Sequence, residues 1–413
     1  MLWLTTLFVA TVVAGVALQL WLSARQVAAV WQHRARVPEL FAERVSADEH
    51  AKAADYTIAK ARFHRLEITL SALITLGFTV GGGLAALDSL WRRTGWAEPW
   101  LGAVVILSVL SITALIDLPF GIWRTFRLEA RFGFNRISAK VFLTDLLKHG
   151  LLTLIIGAPI TLTVLYLMQR AGTYWWLWAW VGWLALMMLM TWAWPVLIAP
   201  LFNKFSPLED PALRQRIDSL LDRCGFASKG VFVIDGSLRS AHGNAYFTGI
   251  GRHKRIVFFD TLLQRLNGAE VEAVLAHELG HFSLKHVRKR LAVSVITSAA
   301  GLAVLGGLAR IPAVYAALGV PTPSTHAALL LFVLAVPPFA LFLTPLTSMW
   351  SRRHEFEADG FAARHASATE LATALVKLYR DNANTLTPDP VYSTFYYSHP
   401  PALERVTRLL HGM

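Results

Sequence analysis

Apolar residues run from Leu2 to Leu22 without a single charge, a length that matches about 30 Å of hydrocarbon. The extreme N-terminus carries no Lys or Arg, and the run exceeds the h-region of a signal peptide, so a retained membrane span is expected. Residues 23–62 are polar and helix-prone, rich in Ala, Arg and Glu. Further spans are predicted at Leu66–Leu87, Leu101–Trp123, Leu151–Met168 and Tyr174–Pro200, the last rich in Trp where it nears an interface. Residues 201–290 are mostly polar and hold no span. Two more spans follow, Leu291–Ala309 and Ala327–Trp350, and residues 351–413 form a polar tail. The pattern therefore predicts seven spans. It divides the chain into residues 1–200 (spans one to five with their loops), 201–290 (a first polar part), 291–350 (spans six and seven) and 351–413 (a second polar part).

Composition supports this reading. Of 413 residues, 55% are apolar and only 16% charged, against about 25% charged in a soluble domain. The net charge of +12 suits cytoplasmic loops of a membrane protein, and no nucleic-acid motif accompanies it, so no nucleic-acid partner is expected. Cys224, the single cysteine, excludes an internal disulfide and a cysteine-ligated zinc. Loop charge sets the orientation. Residues 23–62 and 124–149, the loops after spans one and three, carry seven and six Lys/Arg. Those after spans two, four and six carry two, one and one. Odd-numbered loops are thus expected in the cytoplasm, and segments 201–290 and 351–413 with them.

Chemistry concentrates in those two segments. His277-Glu278-Leu279-Gly280-His281 lies in a run that starts like a helix at Asn267-Gly268. Two histidines four apart share a helix face and can reach one metal ion, with Glu278 one step round and able to reach a water held there. One zinc ion fits a nitrogen-rich site of this kind. In Ser351–Ala362, Glu355 and Asp359 are four apart and share a face, while Glu357 points elsewhere. One of the two carboxylates can close the zinc site and the other can accept a ligand histidine's free N–H; a solvated acidic face explains them equally well. His399, in Ser398-His-Pro-Pro401, precedes a helix primed by prolines and can donate to an oxyanion. His242, His286 and His354 are left without a role. Gly230–Ile234, Asn244–Thr248 and Arg255–Asp260 read as a three-stranded antiparallel sheet. Its open edge can hold an extended peptide, although a purely structural meander reads the same.

Together these stretches resemble the Ste24-type CAAX prenyl proteases, integral-membrane zinc metallopeptidases of the M48 group. The matching residues are His277–His281, Arg353–Asp359, Ser398–Pro401 with Glu404-Arg405, and Asn244–Phe247 with Lys254–Asp260. Phe132–Asn135 and Ile198–Lys204 match as well. The resemblance implies zinc ligands His277, His281 and Glu355, with Glu278 as general base. It implies Asp359 behind a ligand histidine, His399 as transition-state stabiliser and Arg405 close to the substrate. Asn244, Ala245 and Tyr246 become the edge strand that receives a peptide. It also implies a water-filled chamber walled by the spans.

The fold expected is thus mainly α: seven transmembrane helices enclosing a chamber, with a zincin-like catalytic domain and its small antiparallel sheet on the cytoplasmic face. The expected function is a zinc metalloendopeptidase acting on a peptide or protein substrate, lipidated or not, in contact with membrane lipid. The Gly249–His253 loop is short for that family, and the chain's compactness and lack of organelle-retention signals suggest a bacterial inner-membrane member, in which protein prenylation is not expected. The competing readings are an HtpX-like quality-control protease, which is expected to have fewer spans, and a non-catalytic membrane scaffold or transporter.

Overall fold

A computed structural model describes residues 2–226, 228, 230–248 and 255–412; the Gly249–His253 loop lies outside them. The first span is a helix of 31 residues, α1 (Leu2–Gln32), about 46 Å long, so it projects beyond the bilayer. The next helix, α2 (Ala47–Phe78), begins at a capping box in which Ser46 and Glu49 satisfy each other's backbone N–H. Ser23 Oγ lies 3.3 Å from the Ala61 carbonyl and accepts from Arg65 Nε at 2.9 Å, tying α1 to α2 below the apolar stretch. A short α3 (Gly83–Arg92) continues α2 after a 50° bend. The bend passes through Gly82 at φ +77°, which a side chain would strain, and beside Gly81, whose Cβ would meet the Gly77 carbonyl at 2.9 Å.

Spans three to five are helices interrupted by π-turns. They comprise α4 (Trp100–Trp123), α5 (Ala139–Leu152) with α6 (Ala158–Arg170), and α7 (Trp175–Ala193) with the short α8 (Ala199–Phe202). The π-turns cover Arg124–Glu129, Thr153–Gly157 and Trp194–Ile198, and Pro119, Pro159 and Pro195 lie in or near them. A proline leaves one carbonyl without its helical donor, and the wider turn absorbs the mismatch. Large apolar side chains such as Leu115, Trp178, Met188 and Ile296 stay exposed on the spans, as lipid-facing surface requires. Six helices are long and apolar enough to cross a membrane, and the bent α2–α3 pair makes seven.

The segment after span five folds as β1 (Phe205–Pro207), α9 (Pro211–Arg223), β2 (Val231–Ile234), β3 (Ala245–Thr248), β4 (Arg255–Phe259) and α10 (Asp260–Leu263). The sheet has four strands in the order β1-β2-β4-β3. This corrects the three-stranded antiparallel expectation. β2 and β4 run parallel, Val231 opposite Ile256, and only the outer pairs are antiparallel. The reason lies in the connection between β2 and β3: it holds a short helical turn at Gly236–Leu238, too long for a tight hairpin, so β3 passes over and pairs on the far side of β4. β1 escaped notice because three residues ending in proline show no alternation. β3 remains at the edge, as predicted.

The rest is helical: α11 (Gly268–Ser283), α12 (His286–Leu308), α13 (Pro312–Ala317), α14 (Thr325–Ala340), α15 (Thr344–His365), α16 (Ala368–Asp381), α17 (Pro390–Tyr396) and α18 (Ala402–His411). One buried core joins the polar segments on either side of spans six and seven. It packs Ile217 and Leu220 of α9, Phe258 of β4, Leu275 and Leu279 of α11, Leu371 of α16 and Val406 of α18. The two polar segments are thus one folded body. Between the helices lies a cavity of about 930 Å³, lined among others by Tyr56, Lys60, Glu129, Tyr392 and His399.

Candidate metal centre

The helix α11 carries the paired histidines, and its start is well specified. Asn267 caps it by accepting from the Ala269 and Glu270 N–H groups, and Glu270 accepts in return from the Asn267 N–H at 2.8 Å. Buried Glu270 is balanced by Lys377 at 2.7 Å. Helix α15 crosses α11 closely because Gly280 lies at the contact: a Cβ there would meet Ala358 Cα and Phe361 Cβ at 3.0 Å. That approach brings Glu355, on the polar extension of span seven, between the two imidazoles.

Glu355 Oε2 is 3.4 Å from His277 Nε2, and Oε1 is 3.4 Å from His281 Nε2. The two rings stand 5.0 Å apart and nearly perpendicular. Two ligands about 2.0–2.1 Å from one ion at a tetrahedral angle lie about 3.3–3.4 Å apart, so the spacing suits an ion. The donor set suits it too. Among the described residues no donor hydrogen-bonds buried Glu355 Oε2, and Arg405 Nη1 comes no nearer than 3.9 Å, a state that costs free energy unless a closer cation joins it. Burial by itself would lower the His277 pKa, but the Asp359 and Glu355 carboxylates beside the ring reverse this and hold it up to about 9. The site thus favours positive charge between its carboxylates.

Asp359 lies one turn after Glu355 and accepts from His277 Nδ1 at 2.8 Å, which leaves Nε2 directed at Glu355. Arg405 of α18 grips Asp359 with both arms, Nε to Oδ2 at 2.9 Å and Nη2 to Oδ1 at 2.6 Å. Arg405 is only 4% exposed, so its guanidinium is committed to this clamp while its flank borders the cleft. Glu278, on the neighbouring face, has its carboxyl pKa raised by burial, against the pull of His277 and His281. His399, from the loop before α18, reaches Glu355 Oε2 at 3.5 Å, and burial lowers its pKa. Asn244, Ala245, His277, Glu278 and His399 line one small cleft of about 120 Å³. In the ladder, Asn244 accepts from the Phe259 N–H at 3.0 Å, so alternation turns the Ala245 carbonyl away from β4.

A family profile described as the CAAX prenyl protease N-terminal region with five membrane helices matches residues 26–204. A second, for peptidase family M48, matches residues 207–412. A CAAX prenyl protease 1 homolog of Arabidopsis thaliana is 35% identical over 385 residues, 90% of this chain and 89% of that protein. The chain belongs to the Ste24/CAAX prenyl protease 1 family of M48 metallopeptidases. CAAX prenyl protease 1 of Saccharomyces cerevisiae is 36% identical over 315 residues, 72% of this chain and 70% of that one. A crystal structure of S. mikatae Ste24p superposes with a TM-score of 0.88 at 30% identity and covers 98% of both chains. This protein is therefore a multi-pass integral-membrane metallopeptidase, and the matches do not favour the quality-control alternative. These relatives are eukaryotic, so they lend no support to a bacterial source.

The structure brings together nine of the ten residues singled out in the sequence: His277, His281, Glu355, Glu278, Asp359, His399, Arg405, Asn244 and Ala245. Tyr246 lies on β3 against Val257, its ring edge-on to Phe259. Sequence reasoning passed over His286 and Glu357. His286 is fully buried and 3.0 Å from His281, and Glu357 does point away from the Glu355 face, but it points at His286. The signal was a histidine directly after a chain reversal at Lys285, which adopts φ +60°.

Proposed function

We propose that this protein hydrolyses a peptide bond near the C-terminus of prenylated CAAX-type proteins, with His277, His281 and Glu355 holding one Zn²⁺ at the cytoplasmic membrane face. The family and the names of its relatives, CAAX prenyl proteases, support the substrate class. The observation that carries the chemistry is the unpartnered Glu355 oxygen set 3.4 Å from the histidine nitrogens beside Glu278. When bound, zinc supplies an activated water and polarises the scissile carbonyl.

The chain's own residues do the rest. Glu278, its pKa raised by burial, is suited to take a proton from the attacking water and return it to the leaving amine. His399 donates to the developing oxyanion. Asp359, fixed by Arg405, holds His277 in the tautomer that leaves Nε2 free. The outward groups of β3 around Ala245 pair with the extended substrate and keep the scissile bond over the site. The large cavity beside His399 takes the substrate's remaining length.

The test is cleavage of a CAAX reporter peptide, with and without farnesyl, by purified protein in detergent. Wild-type protein should cut the farnesylated peptide and lose this to a zinc chelator. Glu278→Gln should bind zinc normally yet lose at least a thousandfold in kcat, on the order of 4 kcal/mol. Equal cleavage of both peptides would remove the prenyl requirement. Undiminished turnover in Glu278→Gln would overturn the mechanism.

A further inference from the structure

The two ligand histidines are anchored in different ways. His277 gives its Nδ1 proton to a carboxylate, the usual support for a metal-bound imidazole. Among the described residues no carboxylate stands behind His281 Nδ1. Its Nδ1 faces the Nδ1 of His286 at 3.0 Å, and His286 Nε2 faces Glu357 Oε2 at 2.9 Å. Glu357 is held in turn by Arg353 Nε at 3.1 Å.

The direction of the proton chain follows from the site. Nε2 of His281 points at Glu355, so an ion bound there leaves Nδ1 as an N–H donor. The atom it meets must accept, so His286 carries its proton on Nε2 and donates to Glu357. A neutral imidazole has one donor and one acceptor, and both are used. Sequence and backbone place His286 for this task. α11 ends at Ser283, Lys285 turns the chain at φ +60°, and His286 is the first residue of α12, fully buried against the site. His354 stacks on it at 4.0 Å and 12°, and Trp350 packs on His354 at 4.6 Å, so the ring cannot swing away.

His286, His354 and Glu357 also form a trio of metal-binding side chains with ligand atoms within 4.8 Å of one another. The stacking argues against an ion there. In-plane lone pairs of two rings only 12° from parallel run side by side and do not converge on one point.

We infer that His286 and Glu357 are positioning residues for the metal ligand His281, a histidine-to-carboxylate relay that does for His281 what Asp359 does for His277. The relay rests on the proposed zinc site, yet it is tested by metal binding and not by turnover. The full-length protein in detergent is titrated with zinc against a competing chelator. His286→Leu removes the acceptor and should weaken zinc 10- to 100-fold. In His286→Asn, Oδ1 stands where Nδ1 stood and accepts the same proton, so affinity should return to within about threefold of wild type, a rescue that packing alone would not produce. Glu357→Gln should weaken zinc by a few-fold in wild-type protein and not at all in the His286→Leu background, because the two act through one contact.

Wild-type affinity in His286→Leu, or an Asn variant as weak as the Leu one, would overturn the relay. So would a second zinc per chain at saturation that His354→Ala removes. Wild-type protein that binds no zinc would instead overturn the metal site itself, so the two failures are told apart.

Discussion

Arg405 shows how much one side chain contributes to the centre. It is almost fully buried: Nε and Nη2 grip Asp359, which itself orients His277, and Nη1 lies 3.9 Å from Glu355 Oε2. Removing one member of such a pair leaves a charge buried and unmatched, at a cost of about 3–5 kcal/mol. Arg405→Met should therefore lower the melting temperature and weaken zinc at least tenfold, both read on the same protein by thermal unfolding and chelator competition. Arg405→Lys restores charge without the two-armed grip and should recover stability better than zinc affinity. The sequence pointed to Arg405 only through the family resemblance, and as a residue close to the substrate. Its partner Asp359 is 46 positions away, and nothing local in either stretch declares that contact.

At the scale of elements, the centre depends on how closely α11 and α15 approach. Gly280 permits it, since its missing side chain leaves room for Ala358 and Phe361 at 3.0 Å. Gly280→Val is expected to push the helices apart, destabilise the protein by roughly 1–3 kcal/mol and carry Glu355 out of reach of His277 and His281. Loss of zinc at saturating concentration, with membrane insertion unchanged, is the outcome to look for. The helix face of His277 and His281 was legible from a spacing of four, and so was the shared face of Glu355 and Asp359. The strand order was not. Alternation marks a strand, yet neighbours across a sheet depend on connection geometry, and here β3 lies beyond β4. β1 is three residues long with a terminal proline and leaves no periodic trace.

For the whole molecule, the single cysteine reports on topology. Cys224 follows α9 in the segment assigned to the cytoplasm by loop charge. Burial raises its thiol pKa, against a smaller opposing pull from Arg223, so the reactive thiolate is scarce at neutral pH and increases as pH rises. Labelling by a membrane-impermeant maleimide should accordingly be slow at pH 7, accelerate towards pH 9 and occur only in vesicles that expose the cytoplasmic face. Labelling from the opposite face would invert the topology. The ends of the chain also meet at this scale. Arg25 of α1 pairs with Asp389 at 2.9 Å, and the Asp389 N–H donates to Gln26 Oε1 at 2.8 Å, which closes one wall of the large cavity beside α17.

The sequence by itself marked the membrane spans, the histidine pair and the helix face that the pair shares. These are properties of composition and of periods of a few residues, and hydrophobic thickness and helical pitch read them directly. Spacing left open which of Glu355 and Asp359 faces the histidines, and tertiary structure set Glu355 against both Nε2 atoms, Arg405 on Asp359 and His286 behind His281. Each of those depends on the angle and distance at which helices far apart in the chain come together. That packing is set by side-chain volume at contacts such as Gly280 and Ala358, and no local pattern along the chain records it.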